Sequence, residues 1–132
     1  VPTIVAAFCY DSRSGNLFRI GEGTMDESTA LIMVTTTIES IDQANELAAA
    51  LVSQSLVACV QIDGPIISHY RWAGEIRQSN EYRLTIKSSL ISWPRLKSRL
   101  AKMHPYDEPE IIMTVVDDAS DGYRSWVIDQ ST

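Results

Sequence analysis

Apolar positions along this chain change their period several times, and each change marks an element. Leu31-Ile32-Met33-Val34-Thr35-Thr36-Thr37 is a continuous apolar and β-branched run, which predicts a central strand covered on both faces. Ser40 followed by Gln43 makes a capping box, and Ile41, Ala44, Leu47, Ala48 and Leu51 recur at helical spacing, so a helix is expected over 40–54. Residues 56–62 read as a second strand, Asp63-Gly64-Pro65 punctuates it, and Ile66 to Trp72 continues extended as far as a turn at Gly74. Beyond Gln78-Ser79-Asn80, residues 81–87 alternate strictly. Tyr82, Leu84 and Ile86 point one way and Glu81, Arg83, Thr85 and Lys87 the other, as in a half-covered antiparallel strand. Ser92 stands as a capping residue ahead of Trp93-Pro94, and Leu96, Leu100 and Met103 form the apolar stripe of a helix that Pro105 stops. Residues 111–116 read as a buried strand, and Asp121 to Gln130 as a short helix with Tyr123, Trp126 and Val127 at helical spacing.

From residue 30 the order is strand, helix, strand, strand, helix, strand and a short terminal helix. That is an α+β class chain with a ferredoxin-like split β-α-β arrangement: an antiparallel sheet with two helices on one face. The other face then needs a cover. The aromatics Tyr70, Trp72 and Tyr82 sit on a sheet that is long for so small a domain, and an exposed aromatic edge invites pairing with another chain, so a closed homo-oligomer is expected. Residues 1–29 read as an N-terminal extension ahead of a domain over 30–132. Within it, 3–10 and 17–20 have the form of a hairpin closed by turn residues at 11–16, Gly21 to Thr24 break the pattern as a linker, and Met25 is the expected natural start.

A length of 132 residues fits one domain with an ordinary core. The formal net charge of -6 removes any general attraction to phosphate backbones or anionic membranes, so neither nucleic acid nor membrane is expected as a partner. Cys9 and Cys59 have no C-x-x-C spacing, which excludes a disulfide framework and a zinc knuckle. With no apolar run long enough to span a bilayer and no signal-peptide pattern at the N-terminal run, a cytoplasmic setting is expected. The chain carries no G-x-S-x-G elbow, phosphate-binding glycine loop or H-E-x-x-H, and pairs no nucleophile with a base, so neither catalysis nor an organic cofactor is expected.

Candidate chemistry concentrates at His104-Pro105-Tyr106-Asp107-Glu108-Pro109-Glu110, a helix-to-strand junction that two prolines hold extended. His104, with the sulfur of Met103 and the carboxylates of Asp107, Glu108 and Glu110 nearby, suits copper or another divalent cation. The alternative is that His104 hydrogen-bonds to fix the junction. Cys59, inside an apolar run, is expected in the core. Glu81 and Lys87 share a strand face, which reads either as a charged patch beside the aromatics or as a solvated surface, and Trp126 is expected to anchor its helix to the body or to a neighbouring subunit.

Taken together, Leu56-Val57-Ala58-Cys59-Val60, then Tyr70-x-Trp72-x-Gly74 with Glu81, then His104-Pro105-Tyr106-x-x-Pro109-Glu110, then Tyr123-x-x-Trp126-Val127 resemble the signature of the CutA divalent-cation tolerance proteins over about residues 31–130. The resemblance implies a ferredoxin-like subunit in a tight homotrimer akin to PII signalling proteins, with the long hairpins pairing between subunits. It also implies binding of copper or another divalent metal ion. Where family members credited with copper carry a cysteine and two histidines, the matching positions here are Thr35, Met103 and His104. Besides metal tolerance, the resemblance admits a PII-like sensor whose inter-subunit cleft, lined by Tyr70, Trp72, Glu81, Lys87, Tyr106 and Glu110, accepts a small anionic or metal-chelated ligand, and an oligomeric scaffold for a partner.

Overall fold

The structure, a computed structural model, describes residues 2–11 and 16–132, with side chains from Ser28 onward. Strands β1 (Pro2–Asp11) and β2 (Asn16–Asp26) form an antiparallel pair of their own. β2 continues through Gly21–Thr24, where a linker was expected; the turn residues 12–15 lie outside the described residues. After a short 3-10 turn come β3 (Leu31–Ile38), α1 (Ile41–Ser53), β4 (Cys59–Trp72), β5 (Glu75–Ser89), α2 (Trp93–Met103), β6 (Ile112–Val115) and α3 (Asp121–Gln130). The four later strands make one antiparallel sheet in the order β4-β5-β3-β6, the ferredoxin-like topology expected of the sequence.

Alternation along each strand divides the sheet into two faces. Ile32, Val34 and Ile38 of β3 and Leu84 and Ile86 of β5 point towards α1 and α2, where they meet Ala44, Leu47 and Leu51 of the first helix and Leu96 and Leu100 of the second. All of these are buried, and every methylene so removed from water contributes about 0.8 kcal/mol. The opposite face is more open than a strand covered on both sides would be: Met33 is 38% exposed and Thr35 half-buried. Within one chain, therefore, the apolar run at 31–37 has only one covered face. On the core side, Thr36 is fully buried and its hydroxyl has no hydrogen-bond partner. Thr36→Val is expected to stabilise the fold by about 1 kcal/mol, seen as a higher urea midpoint at unchanged slope, because it exchanges an unsatisfied buried hydroxyl for a methyl of similar shape.

Caps and turns follow the local chemistry with one exception. Ser40 Oγ accepts a hydrogen bond from the Gln43 N–H at 3.2 Å and starts α1. Ser92, expected to cap α2, makes no capping bond. Its hydroxyl instead donates to the Ser131 carbonyl, which also accepts from Ser89 Oγ at 3.0 Å, so two buried serines pin the end of α3 to the start of α2. A small cluster of Leu31, Ala58 and Val127 secures α3 from its other side, while Tyr123 and Trp126 remain 40% and 44% exposed.

The long β4–β5 hairpin contains the feature that shapes the site. Its register shifts between Asp63 and Ile66, so that one extra residue stands on β4 opposite β5. Before the bulge, odd-numbered Cys59, Gln61 and Asp63 oppose Lys87, Thr85 and Arg83; beyond it, even-numbered Ile66, Ser68, Tyr70 and Trp72 oppose Glu81, Ser79, Arg77 and Glu75. The bulge thus turns Tyr70 and Trp72 onto the face that also carries Arg83 and Thr35. Tyr82, grouped with them in sequence, lies on the helix-covered face.

Candidate functional site: a groove between the hairpin and the His104 junction

Pro105 ends α2, and the chain then crosses the open side of the sheet on its way to β6. His104 closes the helix with an extended backbone (φ -68°, ψ 136°) and turns its ring inwards, where it is 7% exposed. The Tyr106 N–H donates to His104 Nδ1 at 3.1 Å, and Nε2 lies 3.0 Å from the Thr37 carbonyl oxygen. An Nδ1 that accepts must be unprotonated, so Nε2 carries the hydrogen and donates it to Thr37. Both ring nitrogens are thereby committed to backbone partners on two different elements. Burial holds the His104 pKa below its ordinary value, against the opposing pull of the Thr37 carbonyl and the Glu81 charge.

The next link is Tyr106, whose ring packs edge-on to His104 with centroids 4.8 Å apart. Its hydroxyl donates to Glu81 Oε2 at 2.9 Å, and burial followed by that hydrogen bond pushes its pKa up. Glu81 is itself buried, at 8% exposure, and sits opposite Ile66 where the pairing resumes after the bulge. A chain of contacts therefore runs from β3 through His104 and Tyr106 to the β4–β5 hairpin.

Above it opens a groove of about 940 Å³. Tyr70, Trp72 and Glu81 of the hairpin and Tyr106 and Glu110 of the junction all line it, so five of the residues expected at a cleft do come together. Tyr70 is oriented by a 2.8 Å hydrogen bond between its hydroxyl and Ser79 Oγ. Arg71, Arg77 and Arg83 are also among the residues that line the groove, where they had not been anticipated; Arg77 stands 3.4 Å from Glu75 and Arg83 3.8 Å from Asp63. For Arg77 the signal was present: it stands two pairs of residues before Glu81, on the same face, once the strand is extended back to Glu75.

The remaining predicted residues lie elsewhere. Lys87 shares a face with Glu81 but lies six residues along β5, about 20 Å away at a strand's rise, and donates instead to Gln61 Oε1. Cys59 is half-buried, not in the core; its sulfur stands 3.7 Å from the Tyr123 hydroxyl. His104 has no lone pair left for a metal ion in this arrangement, and Met103 lies on the exposed last position of α2 while His104 points inwards. Among the described residues, no three His, Cys, Asp or Glu side chains are grouped so as to hold a metal. Trp126 stands on α3, away from the residues lining the groove.

Comparison with known proteins gives a consistent result. A family model described as CutA1 divalent ion tolerance protein matches residues 32–130. The divalent-cation tolerance protein CutA of Thermus thermophilus is 36% identical over 95 residues, 72% of this chain and 92% of that protein. The protein of the same description from Pyrococcus horikoshii is 32% identical over 101 residues, 76% of this chain and 98% of its own length. Among solved structures, CutA1 from Oryza sativa superimposes with a TM-score of 0.76 at 27% identity, covering 81% of this chain and 98% of that one.

Proposed function

The chain belongs to the CutA1 divalent ion tolerance family, and from that premise we propose that it works as a homotrimeric sensor, binding a small anionic ligand in the groove between the β4–β5 hairpin and the His104–Glu110 junction. The observation that carries this reading is the groove itself: about 940 Å³, where Arg71, Arg77 and Arg83, the last two paired to Glu75 and Asp63, meet the carboxylates of Glu39, Asp107, Glu108 and Glu110, two hairpin aromatics and the Tyr106–Glu81 pair. Concave sites with a few converging polar groups are where small molecules bind. Arginine forks favour carboxylate or phosphate oxygens, and Tyr70 and Trp72 offer apolar faces to the rest of such a molecule.

Oligomerisation is supported by the far half of the hairpin. Ile67 is 62%, Ile76 77% and Trp72 48% exposed, and a two-stranded ribbon with apolar residues open on both faces is marginal in water without a cover. Neighbouring subunits would supply that cover and a second wall for the groove, with Trp126 and Tyr123 available as further anchors. Among the described residues no helix is long and apolar enough to cross a membrane. A cytoplasmic setting belongs to the same proposal.

The family's name points to a divalent cation, and the fit of this chain to one is poor at the positions the resemblance singled out. Thr35 brings a hydroxyl in place of a thiolate, Met103 is exposed, and His104 has both nitrogens in hydrogen bonds. The tolerance role is therefore read as a response carried by groove occupancy and not as chelation through His104. Native mass spectrometry of protein taken from its own cells tests the reading. Three chains with a retained small anion, released on Arg77→Gln, are expected. Monomer alone at micromolar concentration, or a trimer retaining only metal, would overturn it.

A further inference from the structure

A second concave site lies on the opposite side of the molecule, where the end of α1 meets α2. Arg95, Lys97, Arg99 and Lys102 all belong to α2, which contains no acidic residue. One helix thus holds four of the chain's 11 cationic residues, and the remaining seven face 17 acidic ones. At about 100° per residue, Arg95, Arg99 and Lys102 fall within one narrow stripe, about 10 Å long, whereas Lys97 points elsewhere. Together with Gln54, Leu56, Pro94 and Ser98, the stripe lines a groove of about 620 Å³. None of these cations takes part in an ion pair among the described residues, although the chain as a whole is acidic. Arg99 is also held in place: its Nε–H donates to Gln54 Oε1 at 2.9 Å, which leaves the two terminal guanidinium nitrogens, and the Gln54 amide NH2, as donors at the groove.

We infer that this groove binds a small molecule carrying a short chain of phosphate groups. Three aligned cations match a linear row of phosphates better than a single anion, and an oriented arginine fork pairs with phosphate oxygens two at a time. The charge complementarity is local. A nucleic-acid backbone would need many more contacts than one 10 Å stripe supplies and would meet the acidic remainder of the chain. A membrane surface would meet the same repulsion, and the lining of the groove includes no exposed large apolar side chain to insert. The site is separate from the one lined by Tyr106 and Glu81, so the two readings stand or fall independently.

The test is calorimetric titration of the full chain with inorganic tripolyphosphate at low and at near-physiological salt. Saturable binding of one tripolyphosphate per chain is expected, weakening as salt rises. Arg99→Gln and Lys102→Gln should each lower the affinity at least tenfold, while Lys97→Gln, an equal loss of charge off the stripe, should change it by less than twofold. Absence of binding, an equal loss with Lys97→Gln, or equally tight binding of orthophosphate would each overturn the inference. Tighter, stripe-dependent binding to anionic lipid vesicles or to an acidic peptide would also overturn it, in favour of a macromolecular partner.

Discussion

Gly64→Ala is expected to lower stability by about 2–4 kcal/mol and to dismantle the groove. Gly64 adopts φ +140°, a conformation that side-chain-bearing residues rarely take, and a Cβ there would lie 2.9 Å from the Glu81 carbonyl oxygen and 3.0 Å from Tyr82 Cδ1. The first of those atoms is backbone in the neighbouring strand, so relief requires β4 and β5 to separate at the bulge. Separation removes the register shift that places Tyr70 and Trp72 beside Glu81 and Arg77. Urea denaturation measures the loss, and the part of the tryptophan fluorescence that Trp72→Phe removes, compared with and without the glycine substitution, reports whether the far half of the hairpin keeps its setting. Gly74→Ala is the control. Gly74 also has a positive φ, of 78°, but nothing lies within 4 Å of an added Cβ, so only about 1–2 kcal/mol of backbone strain is expected and the groove should survive. Equal effects at the two glycines would refute the role given to the bulge.

That bulge also marks where reading the sequence stopped short. The elements themselves were legible because their signals are local: Ser40 three residues before Gln43 starts α1 as expected, and Pro105 stops α2 at Met103. The motif at His104–Glu110 was legible too, and Pro105, Tyr106, Asp107, Glu108 and Glu110 of it line the groove. What Gly64-Pro65 does could not be read locally. As punctuation it was visible, but whether one residue is inserted in β4 relative to β5 depends on pairing across the hairpin, and a slip of one residue reverses every side chain beyond it. Lys87 shows a related limit: parity fixes a face but not a distance along it. The fate of Ser92 illustrates the third limit. Its position promised a cap, yet its hydroxyl serves the carbonyl of Ser131, a contact 39 residues away that no local pattern encodes. The His104–Thr37 bond, spanning 67 residues, is of the same kind.

His104→Ala is expected to cost about 2–4 kcal/mol and to remove a specific pH dependence. The substitution strips partners from a buried carbonyl, Thr37 O, and from the Tyr106 N–H, and leaves a cavity against the Tyr106 ring. The pH dependence follows from the tautomer. A protonated imidazole presents N–H groups at both nitrogens, so Nδ1–H would face the Tyr106 N–H, donor against donor, with Glu81 the charged group positioned to compensate. Because the folded-state pKa lies below the ordinary 6.5, the unfolded chain binds this proton more readily. The stabilising contribution is therefore complete above pH 6.5 and is lost as pH falls through the lowered folded-state value. Urea midpoints of the wild type and of His104→Ala, measured between pH 8 and pH 5, separate this group from the many carboxylates that both proteins share: the difference between them should shrink as the pH drops. A constant difference would mean that the imidazole contributes only by filling space. A difference that shrinks means that its neutral form is what joins Thr37 to Tyr106, and through the Tyr106–Glu81 hydrogen bond the same proton would then govern whether the wall of the groove is held closed against the hairpin.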